Sequence, residues 1–410
     1  MKRVLFIHHV YTRSGGRIYR EMMDLSFTDE QLAVRDAIGK LCEKYDDAYW
    51  LDRDTDGVFP EDFVKDLADG GWLGIAMPQE YGGAGLGVVE ASLMMQAIAE
   101  SGAGFSGCSA IHINIFGPNP IVVHGTDEQK NRLLPPLIAG ADRTCFGVTE
   151  PNAGLDTTRI ETKAVWDGEK YIVNGRKMWT STAQTANKIL LLARTAARED
   201  GAKTTDGITM FYTDFDRDYC EAQVIEKMGR KAVDSNATFY DNLPVPESDR
   251  IGEEGKGFYY LLDGINPERI LIAAEAVGLG RVALQKAVNY ANERIVFDRP
   301  IGKNQAIQHP LAAAWAHLEA ADALVWKAAV LYDTGKPCGA EANAAKYLAA
   351  EACYKACETA VLTHGGMGYA KEFHVERYLR EAFVARIAPV SREMILNFIG
   401  QHVLGMPRSY

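Results

Sequence analysis

The segment Gly264-Ile265-Asn266-Pro267-Glu268-Arg269 sets a carboxylate beside a basic residue at the head of an alanine-rich helical pattern over 270–281. Proline fits the first turn of a helix, where its missing N–H costs nothing, and Asn266 is placed to cap that turn. Glu268 then stands on a rigid element. With apolar neighbours raising its pKa toward neutrality, it can take a proton from a weakly acidic C–H. The same glutamate in a first turn also serves as an ordinary partner for the helix dipole.

Three other segments carry groups suited to a flat heterocycle and a diphosphate. Phe146-Gly147-Val148-Thr149-Glu150-Pro151-Asn152-Ala153-Gly154-Leu155-Asp156 passes from strand to loop and offers backbone N–H groups and a hydroxyl to a polar ring edge. Asn174-Gly175-Arg176-Lys177-Met178-Trp179-Thr180-Ser181 is a turn followed by a strand. There Trp179 could cover a planar ring or pack as a half-buried sheet residue, and Ser181 offers a hydroxyl to a ring nitrogen. Glu293-Arg294-Ile295-Val296-Phe297-Asp298-Arg299-Pro300-Ile301-Gly302 places Arg294 where a guanidinium can clamp a pyrophosphate. The glycine turn Thr363-His364-Gly365-Gly366-Met367-Gly368-Tyr369 lets backbone approach a ligand closely, although turns also need glycine for conformation alone. His364 reads first as a packing or backbone-bonding residue. No His, Cys and carboxylate group has the spacing of a zinc site, so no metal is expected.

These segments require three kinds of scaffold. Helical periodicity with a Thr28/Gln31 capping box opens at 28–43, and helices continue over 60–70, 88–101, 111–125 and 126–138. From Cys145 to about Arg250 the runs become short and β-rich, at 164–166, 171–173, 189–192, 208–212, 223–226 and 237–240, separated by Gly, Asn and Asp. That pattern predicts a small antiparallel barrel or sandwich. Helical patterns return over 278–294, 310–334, 341–363, 375–387 and 391–404, with Gly335-Lys336-Pro337 as a corner. The expected class is α+β: a basic extension at 1–22, an all-α domain at 23–144, a β-domain at 145–256 and a four-helix bundle at 257–410. Gly278-Leu279-Gly280 lies inside a helix pattern with no strand before it, so no dinucleotide fingerprint is present.

The bulk properties narrow the function. A chain of 410 residues with 47% hydrophobic content can bury a large core, and its net charge of −11 without a basic stripe argues against nucleic acid. Seven scattered cysteines suggest neither a disulfide framework nor a metal site, and a reducing cytoplasm suits them. No run is long and apolar enough for a membrane span. Residues 1–22, with five basic side chains up to Arg20, read as a dispensable extension, with a transit peptide as the alternative.

Read together and in order, Val148-Thr149-Glu150-Pro151, Met178-Trp179, Arg294 with Phe297, and Gly365-Gly366-Met367-Gly368 make the chain resemble an acyl-CoA dehydrogenase from about Met23 to its end. The resemblance implies an N-terminal all-α domain, a middle β-domain and a C-terminal four-helix domain in a homotetramer with FAD. It implies that backbone groups of Val148 and Thr149 meet the flavin pyrimidine, that Trp179 packs near the ring and that Ser181 bonds near N5. It further implies that Arg294, beside Phe297, meets the diphosphate, and that Gln305, Gly365 and Gly366 approach FAD across a subunit interface. Asn266 and Arg269 are the implied substrate-binding neighbours of the base.

Many members of that family carry the base after the last glycine turn, where this chain has Ala388-Pro389-Val390-Ser391. Proline cannot abstract a proton. The isovaleryl-CoA and long-chain branches place the glutamate at the position matching Glu268, which is therefore the expected base. The implied reaction converts a saturated acyl-CoA to a trans-2-enoyl-CoA, with an electron-transferring flavoprotein as acceptor. A flavin oxidase, a monooxygenase and an enoyl-CoA reductase are alternatives on the same scaffold. Three departures stand out: Leu155 replaces a small hydroxyl residue, Asp298 replaces a common glycine, and Pro389 lacks the N–H that would polarise the thioester carbonyl. A neighbouring donor such as the Val390 N–H, a displaced thioester or altered chemistry would answer the last. Tyr81, Ile111, Ile113, Phe116, Leu261 and Leu262 are candidate acyl-pocket residues, with core packing an equal explanation. His112 and Asn114, on the opposite phase, are either polar contacts or a surface face.

Overall fold

The computed structural model describes residues 27–197 and 203–409, so the basic extension lies outside the described residues. The described residues open with seven α-helices: α1 Asp29–Cys42, α2 Asp47–Asp56, α3 Glu61–Asp69, α4 Val88–Ile98, α5 Gly104–Phe116, α6 Asn119–His124 and α7 Asp127–Ile138. Local chemistry starts several of them. Thr28 with Gln31 and Thr126 with Gln129 form reciprocal capping boxes, satisfying N–H groups that a helix leaves open. α2 has no clear apolar period in the sequence; it is started by Asp46, whose side chain accepts from the Tyr49 N–H at 3.0 Å.

The middle of the chain forms β1 Thr144–Gly147, β2 Lys163–Trp166, β3 Lys170–Ser181, β4 Lys188–Arg194, β5 Ile208–Asp214, β6 Cys220–Val224, β7 Ser235–Pro246 and β8 Arg250–Ile251. The path runs β6-β7-β3-β2-β4-β5-β8, with β1 beside β4. The alternating runs predict antiparallel pairing throughout. Most pairs obey it, but β1–β4 and β2–β4 are parallel. A strand arriving from a helical domain rather than from a hairpin is free to pair in that sense.

The third part holds α8 Gly257–Glu293, a short hairpin of β9 Ile295–Val296 and β10 Arg299–Pro300, then α9 Gln305–Asp333, α10 Gly339–His364, α11 Val375–Ala382, α12 Val384–Ile387 and α13 Arg392–Phe398. The architecture is helical, β-sheet, helical, as the α+β expectation had it. Helix α8 is the axis that carries the site. Its residues Ile270 to Gly280 are buried all round, as a helix packed on several neighbours must be. Close approach is permitted at Gly278, where a Cβ would stand 2.4 Å from the Gln96 carbonyl oxygen of α4. At the other end of α4, the Val88 and Val89 N–H groups donate to the Asp333 carboxylate at 2.8 and 2.9 Å, tying the first domain to α9.

One local expectation fails here. Asn266 is not a cap, and Pro267 does not open a helix: α8 begins ten residues earlier, after Lys256, and Pro267 is a buried interior residue. A proline at such a place removes a backbone hydrogen bond and costs roughly 3 kcal/mol. Burial of the long apolar face beyond it outweighs that local cost, and the first turns are also fixed by His124, which pairs with Asp263 at 2.7 Å. The separate helical patterns at 270–281 and 278–294 are therefore one helix.

Candidate active site

The loop after β1 is held from beneath. Lys177, fully buried in β3, donates to the Val148 carbonyl at 3.1 Å and to the Glu150 carboxylate at 2.8 Å. Glu150 also accepts from the Glu161 and Thr162 N–H groups at 2.6 and 3.0 Å. Burial pushes the Lys177 ammonium down to about 8 against the pull of Glu150. The Met178 N–H donates to the Thr149 carbonyl at 2.8 Å, joining loop to strand. Val148, Thr149, Trp179 and Ser181 thus share one end of the sheet. A register shift between Lys177 and Thr180 turns Trp179 outward with φ +61°, 56% exposed, rather than half-buried in the sheet. A bulky residue in the left-handed region stores strain, as bulges beside active sites do.

Ser181 leads to a group the motifs did not reveal. Arg230, itself at φ +59°, donates to the Ser181 hydroxyl at 3.1 Å, to Ser109 of α5 at 3.1 Å and to Ser235 at 3.4 Å. Burial lowers its pKa, and its hydrogen bonds among the described residues go to hydroxyls. Because Ser181 Oγ accepts from Arg230, its own O–H is free to donate to a further acceptor.

On α8, burial pushes the Glu268 carboxyl up to about 7, against the opposing charges of His112, Arg269 and Lys346, with Glu275 adding to the rise. The residue keeps partial solvent access, so it is desolvated yet reachable. Arg269 donates to the Asn266 side chain at 3.2 Å and is lowered to about 10 by burial. Lys346 of α10, lowered to about 8 by burial, donates to the Val390 carbonyl at 2.6 Å, beside Pro389. His112 of α5 bonds Glu275 through Nδ1 at 2.5 Å. Burial alone would lower the imidazole, but the Glu275 charge and hydrogen bond, with Glu268 behind, raise it. His112, with 12% of its side chain exposed, is therefore a largely enclosed polar contact rather than part of a surface face. Asn114 likewise turns inward, accepting from the Thr144 N–H at 3.3 Å.

The remaining candidates lie elsewhere. Arg294 caps the far end of α8, 26 residues from Glu268 and so about 39 Å along the helix. Phe297, at the hairpin tip with φ +51°, is 93% exposed, and Gln305 is exposed at the start of α9. Gly365, at φ +61°, and Gly366 face open space. His364 bonds the Ala360 carbonyl at 2.7 Å and stacks on Tyr290 at 4.3 Å, a packing role that joins α10 to the end of α8. Asp298 makes no ion pair among the described residues, while Arg299 bonds Asn304 at 2.8 Å. One chain therefore joins Ser181, Arg230 and Ser109 beside the sheet loop, while Glu268 on α8 lies within electrostatic reach of His112 on α5; Arg294, Phe297, Gln305, Gly365 and Gly366 are placed elsewhere, toward the far end of α8 and the turn after α10.

Lys177, Glu275 and Arg230 were missed as site residues. A lysine on the inward phase of a strand beside Glu150 was a readable signal for the first; no local pattern announces the others. Among the described residues no group of side chains could hold a metal ion, and no helix is long and apolar enough to cross a membrane.

Comparison with known proteins gives three matches in chain order: the acyl-CoA dehydrogenase N-terminal domain over residues 28–141, the middle domain over 145–243 and the C-terminal domain over 255–404. The chain is 37% identical over 400 residues to the acyl-CoA dehydrogenase FadE12 of Mycobacterium tuberculosis, covering 95% of this chain and 100% of that protein. It is 35% identical to the 3-(aryl)acrylate reductase of Clostridium sporogenes, covering 92% and 99%. The structure of butyryl-CoA dehydrogenase from Megasphaera elsdenii superposes with a TM-score of 0.89 at 30% identity, over 93% of this chain and all of that one.

Proposed function

Because this chain belongs to the acyl-CoA dehydrogenase family, whose members are FAD-dependent oxidoreductases, we propose that it oxidises a saturated acyl-CoA to a trans-2-enoyl-CoA with Glu268 as the base. The observation that carries this reading is the Glu268 carboxyl, pushed up to about 7 on a buried helix yet still reachable. An acceptor with a pKa near working pH is matched to a C–H that becomes acidic only when its carbonyl is polarised.

The residues present fit FAD. Trp179 is turned outward at the strained bulge, the loop carrying Val148 and Thr149 is fixed from below, and no Cβ obstructs the approach to Gly365 and Gly366. FAD, when bound, supplies the acceptor for the hydride that leaves the β-carbon. Val148 and Thr149 would hold its pyrimidine edge, Trp179 would cover the ring, and Ser181, with its own O–H spare, would donate to a ring nitrogen. Glu268 takes the α-proton. Asn266 and Arg269 face the thioester side, and Arg269 offsets the charge that Glu268 carries before it accepts. Pro389 has no N–H to give, so a neighbouring donor such as the Val390 N–H polarises the carbonyl; Lys346 holds the carbonyl of that same residue.

Arg294, Phe297, Gln305, Gly365 and Gly366 serve a second copy, since about 39 Å of helix separates Arg294 from Glu268 in one chain. Exposed Leu362 and Tyr369 flank the glycine turn and suit burial against another subunit of a homotetramer. An electron-transferring flavoprotein is the acceptor. A second reading, reduction of an enoyl-CoA by the same residues in reverse, is favoured by the 35% identical reductase. Anaerobic mixing with straight, branched and aromatic acyl-CoAs, and of reduced enzyme with the matching enoyl-CoAs, decides between them. Bleaching by a saturated ester supports oxidation; reoxidation by enoyl esters alone supports the reverse; silence in both directions sinks the reading.

A further inference from the structure

Glu275 is the most anomalous side chain near the base. It has no exposed surface; one carboxylate oxygen bonds His112 at 2.5 Å, and the other, Oε2, is buried with no partner. A buried carboxyl oxygen left without a partner costs about 1–3 kcal/mol, so such atoms ordinarily have a donor in front of them. Neighbouring groups do not provide it. Cys108 donates to the Met95 carbonyl at 3.3 Å, and Arg230 spends its hydrogen bonds on Ser109, Ser181 and Ser235.

The surroundings indicate what the donor is attached to. Glu275 follows Glu268 by seven residues, two helical turns, so both carboxylates lie on one face of α8 about 10 Å apart along its axis. The His112 ring packs on Phe116 at 4.6 Å, and Phe116 meets Phe146 at 6.2 Å, one residue before Gly147, where β1 ends and the cofactor loop begins. An aromatic wall thus runs from α5 to the sheet loop, with an acceptor beside it. Flat rings pack on such a wall edge-to-face or offset.

Resting on the acyl-CoA reading above, we infer that the acyl group this site is built for ends in a hydroxylated aromatic ring, whose O–H donates to the free oxygen of Glu275. The α-carbon lies at Glu268, and a three-carbon chain plus a ring spans the two turns to Glu275. His112 is a positioning residue, since its bond to Oε1 fixes the carboxylate and leaves Oε2 for the ligand. An unsubstituted ring or an alkyl chain shuts water out of the pocket and leaves Oε2 unpaired, which is how a site built for a hydroxyl rejects an analogue lacking it.

The test uses three CoA esters: 3-(4-hydroxyphenyl)propanoyl, 3-phenylpropanoyl and hexanoyl. Binding is measured by calorimetry on the Glu268→Gln holoenzyme, where proton abstraction is blocked, and flavin bleaching on the wild type. The expected result is at least about tenfold tighter binding of the hydroxyphenyl ester than of the phenyl ester, falling to near parity when Glu275→Leu is added with flavin content retained. Parity without that second change overturns the inference whether or not the Leu variant folds, and so does a ratio that survives Glu275→Leu. Bleaching by hexanoyl-CoA alone removes the inference and leaves the dehydrogenase reading standing. Failure of these esters and of the whole acyl-CoA panel removes both.

Discussion

Replacing Lys177 by Met tests the support of the cofactor loop. The side chain is fully buried, and its ammonium is the counter-charge to Glu150 at 2.8 Å and a donor to the Val148 carbonyl at 3.1 Å. Met keeps most of the volume and removes the charge. Glu150 retains two backbone N–H donors but becomes an uncompensated buried anion, and breaking a buried pair in this way costs about 3–5 kcal/mol. Changing both partners, Lys177→Met with Glu150→Gln, removes the stranded charge, so about half or more of the loss should return. The loop itself loses a charged hydrogen bond worth about 1.5–3 kcal/mol, equivalent to roughly ten- to hundredfold weaker flavin retention. Urea titration followed by tryptophan fluorescence reads the first quantity, and flavin release on dilution reads the second. A single variant that loses less than about 1 kcal/mol, or a double variant no better than the single, would refute the assignment of Lys177 as the counter-ion that holds this loop.

Other outcomes follow from the same geometry. The rate of flavin bleaching by a good substrate should rise about tenfold per pH unit below 7 and level off above it, because the Glu268 carboxyl must lose its proton to act; a flat profile from pH 5 to 8 would contradict this. Trp179→Phe should change stability by less than about 0.5 kcal/mol, since the ring is 56% exposed, yet alter the fluorescence of bound flavin; unchanged flavin emission would place the ring away from the cofactor. Gly278→Ala should cost about 1–3 kcal/mol in urea unfolding, because the new Cβ would meet the Gln96 carbonyl oxygen at 2.4 Å.

The sequence revealed most where local chemistry and period decide structure. The Thr28/Gln31 box, the alternating runs of the sheet and the helices after Gly257 follow from short-range rules, and the structure has them. Pro267 misled because a proline signals a helix start locally, while the packing of α8 is a long-range effect that overrides it. The motifs led to the loop, the bulge and Glu268. They could not lead to Arg230 or Glu275, whose meaning depends on partners far away in the chain: Ser109 for the first and His112 for the second. The parallel β1–β4 pair was hidden for the same reason, since pairing sense depends on where the preceding helices deliver the strand.

The most direct measurement of the central claim is stopped-flow, anaerobic bleaching of the flavin by whichever acyl-CoA reduces the wild type, repeated with Glu268→Gln at equal flavin content. The expected result is that the variant still binds the ester but bleaches at least about a hundredfold more slowly, within the range that removal of a positioned general base costs. Bleaching at the wild-type rate would show that another group takes the proton and would contradict the role given to Glu268.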